Sequence, residues 1–126
     1  MKRSLVVVVC GLLCFGCAST QNLPADVDTA IRASERSAVD NKSYESASLR
    51  PYFFEHVMSE CASVSFSDKT PFVMVLALDA TGHPLKVYRR PETEVTRCLE
   101  EQIAHATFPA PPTAPYFALF DTRFER

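Results

Sequence analysis

The chain has 126 residues and a formal charge of −2, enough for one domain with some additional chain and not for two sizeable cores. Positive residues are scattered apart from the adjacent pair Arg89 and Arg90. That excludes the basic face or stripe a nucleic-acid binder needs, and any polybasic cluster for an anionic membrane surface.

Met1-Lys2-Arg3-Ser4 followed by the apolar run Leu5 to Phe15 reads as the n- and h-regions of a secretory signal peptide. The run is too short for a spanning helix, which needs about 20 apolar residues. The alternative is a buried strand or helix of the domain. Removing residues 1–17 takes Lys2 and Arg3 with it, so the formal charge moves from −2 to −4. How the segment ends is set by Cys14-Phe15-Gly16-Cys17-Ala18-Ser19, which resembles a bacterial lipobox at Gly16 and Cys17 and departs from it at Cys14 and Phe15. The resemblance implies lipidation of Cys17, which becomes the mature N-terminus and anchors the protein to a membrane. Ordinary cleavage after Ala18 is the alternative. Ala18 is not the aspartate that resembles an inner-membrane retention signal, so the outer membrane is favoured.

Cys10 and Cys14 leave with the signal, and Cys17 carries lipid or also leaves. Cys61 and Cys98 remain, an even number in an oxidising compartment, and are expected to form a disulfide; the alternative is two buried free thiols. By chain entropy such a bridge contributes about 4 kcal/mol.

Residues 18–47 are rich in Ser, Thr, Asp, Asn and Ala, with no aromatic before Tyr44. Val27, Ala30, Ile31 and Ala38 sketch a thin helical stripe, and the segment reads as a mostly solvated tether with one transient helix. The folded domain is expected over 48–126. Leu49, Phe53, Val57, Cys61 and Val64 fall at helical spacing, with Ser48 as the cap and Pro51 in the first turn.

From Phe72 the period switches to two. Phe72, Met74, Leu76 and Leu78 share one face and Val73, Val75 and Ala77 the other, so this strand should be central and covered on both sides. Asp79-Ala80-Thr81-Gly82 makes the turn of a hairpin, Gly82 supplying a positive φ, and Leu85, Val87 and Tyr88 lie on the returning strand. Arg89 and Arg90 read as its solvated end.

Thr93 to Ala106 is helical, with Val95, Cys98, Leu99, Ile103 and Ala106 along one stripe. It must stop before Phe108-Pro109, and Phe108 drops back as a core plug. Tyr116 to Phe124 alternates again as a third strand, Tyr116, Ala118, Phe120 and Phe124 opposite to Phe117 and Leu119; either set could face inward. The expected fold class is α+β: a small antiparallel sheet of about three strands with two helices on one face and one disulfide.

Asp79-Ala80-Thr81-Gly82 after an apolar strand, Val87, Val95, Cys98-Leu99, Ile103, Phe108-Pro109-Ala110-Pro111 and the closing strand to Phe120 and Phe124 together resemble the TonB C-terminal-type domain. The likeness is to the variant at the C-terminus of AgmX/PglI-like envelope proteins, whose upstream cysteine Cys61 fits. It covers about Leu49 to Arg126. Thr113-Ala114 stands where a glycine commonly follows the Phe-Pro-x-Pro stretch. The resemblance implies an envelope domain that binds proteins. It does not carry over energy transduction, because the anchor here is at best a lipid.

Chemistry finds little purchase. His105 lies nearly two helical turns from Cys98, and His56 faces away from Cys61. No CxxC or HxxxH spacing marks a metal site, and with Gly82 alone downstream of the signal no glycine-rich nucleotide loop can be built. The expected function is therefore non-enzymatic: an envelope lipoprotein with no cofactor, whose sheet edge takes up a protein partner by strand addition, with Tyr116 and Arg123 at the contact. The alternatives are a purely structural lipoprotein and, from another class, a thiol enzyme using Cys61 or Cys98.

Overall fold

Three strands form one antiparallel sheet: β1 (Phe72–Leu78), β2 (Pro84–Arg90) and β3 (Tyr116–Thr122), in the order β2-β1-β3. β1 is central, as its two apolar faces require. This computed structural model of the chain describes residues 22–122. The signal segment, Cys17, Arg123 and Phe124 lie outside them.

Phe72, Met74, Leu76 and Leu78 point into the larger core with Tyr116, Ala118 and Phe120 of β3. Two helices close that side. The first, α2, is one continuous helical run over 42–67 and contributes Leu49, Phe53, Val57 and Cys61, all fully buried. These four recur every fourth residue. An α-helix turns about 100° per residue, so a strict four-residue repeat drifts about 40° per step away from its core. Two wider π-helical stretches, Glu45–Leu49 and Phe54–Met58, absorb the drift. The first also makes room for Pro51: the Arg50 amide donates five residues back to the Glu45 carbonyl, and Pro51 follows in the widened turn. The helix therefore begins at residue 42, not at a Ser48 cap, and Pro51 is in its interior.

The second, α3 (Glu94–Ala104), starts at a reciprocal cap. The Thr96 amide donates to Thr93 Oγ1 (3.2 Å) and the Thr93 amide to Thr96 Oγ1 (2.8 Å). It buries Val95, Leu99 and Ile103. A disulfide joins Cys61 to Cys98, 37 positions apart, with an S–S length of 2.02 Å. Phe53 stacks on Phe120 with ring centroids 3.9 Å apart, and Phe108 plugs the end of this core beside Tyr52. Each buried large apolar side chain contributes about 1.5–3 kcal/mol.

The other face of the sheet is where the structure departs from the sequence reading. The expected tether contains α1 (Val27–Val39), which packs Ala30 and Ala33 onto Val75, Ala77, Tyr88 and Phe117. It is a third helix of the domain. Its start is fixed by Asp26, whose Oδ1 accepts the Thr29 amide at 2.7 Å. Long-range ties hold it in place, among them the Tyr88 hydroxyl, which donates to the Pro24 carbonyl (2.6 Å), and Arg90, which pairs with Asp28 (3.1 Å). The domain thus reaches well upstream of residue 48. β1's second apolar face, which demanded cover, gets it from this segment.

Candidate functional site

A three-stranded sheet has two outer edges, and side chains on neighbouring helices decide what each can do. On β3, the Phe117 amide donates to Ser37 Oγ of α1 (3.2 Å), and the Leu119 carbonyl accepts from Arg50 Nη2 of α2 (3.2 Å). Residues 117 and 119 therefore turn their peptide groups outward, while 116, 118 and 120 are bonded to β1. Each neighbouring helix thus caps one outward group of this edge. Arg50 is held in position by Glu45 (3.6 Å) and lies over the Phe120 ring (5.6 Å).

Alternation then fixes β2. If Met74, Leu76 and Leu78 bond to β3, then Val73, Val75 and Ala77 bond to β2, where they face Arg90, Tyr88 and Lys86. Val87 and Arg89 consequently turn their amides and carbonyls outward. Among the described residues no hydrogen bond reaches these groups from outside the sheet. Leu85 is the extra residue of a bulge between the Ala77 and Leu78 registers and is 41% exposed. Lys86 is exposed, with its ammonium 4.8 Å from the Tyr88 ring and, among the described residues, no carboxylate partner. Arg89 is not the solvated strand end that the sequence suggested: it is largely buried and pairs with Glu92 and with Glu100 of α3.

The sequence-expected site residues fall in different places. Cys61 and Cys98 meet as the disulfide. Tyr116 cannot touch a partner: it is fully buried, its hydroxyl donates to Glu45 Oε1 (2.8 Å), and its ring meets Tyr44 edge-on at 4.9 Å. Burial and the Glu45 carboxylate push its hydroxyl pKa up, and burial pushes Tyr44 up to about 12. The Tyr44 hydroxyl donates to the Pro109 carbonyl (2.8 Å), tying α2 to the Phe-Pro segment. Arg123 and Cys17 lie outside the described residues.

Nothing draws the histidines together. His56 lies tilted against the Tyr52 ring (centroids 4.5 Å apart), and His83 sits in the hairpin turn beside Thr81. Among the described residues no group of three or more His, Cys, Asp or Glu side chains could hold a metal ion, and no helix is long and apolar enough to cross a membrane. A cleft of about 420 Å³ lies between α1 and α2, with Glu45 and Arg50 already paired along it.

Ser37 and Arg50 are the residues that sequence reasoning missed. Both are ordinary helix-surface residues by pattern, and only the packing of α1 and α2 beside β3 reveals what they cap.

No family model, curated protein or solved structure matches the chain.

Proposed function

We propose that this is a non-enzymatic lipoprotein of the bacterial envelope, exported by its N-terminal signal and held at the outer membrane through Cys17. Its domain, of TonB C-terminal-like character, binds a protein partner by strand addition at the outer edge of β2. One observation carries the reading: the edges are unequal. Ser37 takes the outward amide of Phe117 and Arg50 the outward carbonyl of Leu119 on β3, while among the described residues no side chain reaches the outward groups of Val87 and Arg89 on β2. An extended segment laid beside β2 gains main-chain hydrogen bonds there and a side-chain contact at exposed Leu85.

The test uses Val87→Pro. Its amide points away from β1, so proline removes a donor the sheet does not use, at an edge position where proline is tolerated. A photo-crosslinking residue at position 85 should capture one discrete envelope protein in living cells, and Val87→Pro should abolish the adduct while the protein stays folded. An adduct that survives this change, or none at all from a folded protein, rejects the reading. Mass spectrometry of the mature chain tests the anchor separately, since an acyl mass must sit on Cys17.

A structural lipoprotein without a specific partner is the second reading. Pro84 and the bulge at Leu85 favour it, because both are devices that blunt an exposed strand.

A further inference from the structure

β2 carries three cations in seven residues, Lys86, Arg89 and Arg90, and they are not equivalent. Arg89 projects to the α3 side and is taken up by Glu92 and Glu100. Lys86 and Arg90 project to the α1 side, flanking Tyr88. Among the described residues, Arg90 shares an exposed pair with Asp28 and Lys86 meets the Tyr88 ring without a carboxylate partner. An antiparallel strand added to β2 would make its hydrogen-bonded pairs with Val87 and Arg89. Opposite Lys86, Tyr88 and Arg90 it would form the other kind of pair, in which Cα atoms approach to about 4.5 Å and side chains are closest.

We propose that the segment received at β2 is acidic at two positions four apart, one meeting Arg90 and the other Lys86, with an apolar residue just before the second to lie beside Val87. The inference rests on the strand-addition reading and specifies its partner. Running antiparallel, the segment reads acid, any, any, apolar, acid. Its first acid shares Arg90 with Asp28, and its second supplies the carboxylate that Lys86 lacks.

The same charges argue against a second copy of this chain as the occupant. Two β2 edges pairing antiparallel about Tyr88 would set Lys86 of one copy against Arg90 of the other, twice. Like charges directly opposite one another destabilise a strand pair. In that register the edge refuses a second copy and accepts an acidic strand.

The test compares two short peptides of the same apolar pattern on the purified protein, one with glutamate and one with lysine at the two charged positions. Titration by fluorescence anisotropy should show the glutamate peptide binding at least about tenfold more tightly, the scale of exchanging two attractive cross-strand pairs for two repulsive ones. Added salt should narrow the gap. Lys86→Glu, at an exposed position, should reverse part of the preference, and Lys86→Gln should erase part of it. If both peptides bind equally and Val87→Pro blocks both, strand addition stands and the acidic specification is overturned. If neither peptide binds, the β2 edge is not a receptor, and both readings fall.

Discussion

The Phe108 amide donates to the Gly82 carbonyl at 3.0 Å, and a Cβ placed on Gly82 would fall 1.9 Å from the Phe108 carbonyl oxygen. The hairpin turn and the Phe-Pro segment after α3 are therefore in backbone contact, and glycine is required twice: for its φ of +90° and for that close approach. Gly82→Ala should destabilise the domain by about 3 kcal/mol, combining left-handed backbone strain with displacement of a main-chain neighbour. Urea denaturation should show a lower midpoint at unchanged slope.

The Cys61–Cys98 bridge ties the C-terminal part of α2 to α3 across a long loop of chain. In the chain-entropy account it contributes about 4 kcal/mol by restricting the unfolded state. A Cys61→Ala, Cys98→Ala double variant should lose about that amount, plus whatever the small cavities cost. Comparing its denaturation curve with that of the native protein, oxidised and reduced, checks this. Equal stability of oxidised and reduced native protein would contradict it.

Elements whose signals are local were legible in the sequence: the hairpin around Gly82, α3, the helical stripe carrying Cys61, and Phe108 as a plug. Elements built from small or distant residues were not. α1 buries Ala30, Ala33 and Ser34, which let it lie close to the sheet but give no strong apolar stripe, so it resembled a tether. The sequence did contain its shadow, in the demand of Val75 and Ala77 for cover. Alternation along β3 could not decide which face was inside, because the residue that settles Tyr116 is Glu45, 71 positions away. The edge plugs at Ser37 and Arg50 were equally invisible, being contacts made only when two helices settle beside β3.

Tyr116 and Tyr44 should give the domain an alkaline limit. Both hydroxyls are raised by burial, so the folded state holds these protons more tightly than the unfolded chain, in which tyrosine titrates near about 10. Their contribution is complete below about pH 10 and is lost as pH rises from there through the folded-state values. Thermal melts should be flat between neutrality and that point, then fall. Tyr116→Phe should shallow the fall, at the expense of the buried hydrogen bond to Glu45 Oε1, whose loss lowers stability near neutrality by about 1–3 kcal/mol.

Arg50 and Ser37 should prove to be what keeps the β3 edge from pairing. Together they engage the Leu119 carbonyl and the Phe117 amide, and the side chains along that edge, Phe117 and Leu119, are apolar. Removing both, as Ser37→Ala with Arg50→Ala, leaves outward peptide groups on an apolar strand, the condition under which edges template further pairing. The cation that would otherwise repel a second copy is gone as well. Sedimentation velocity of the double variant should show concentration-dependent self-association that the native protein lacks at the same concentration. Adding Leu119→Pro, which deletes the outward amide of that residue, should restore the monomer if β3 pairing is the cause. Association that persists with proline in place would locate the new contact elsewhere, and would mean that Ser37 and Arg50 guard nothing.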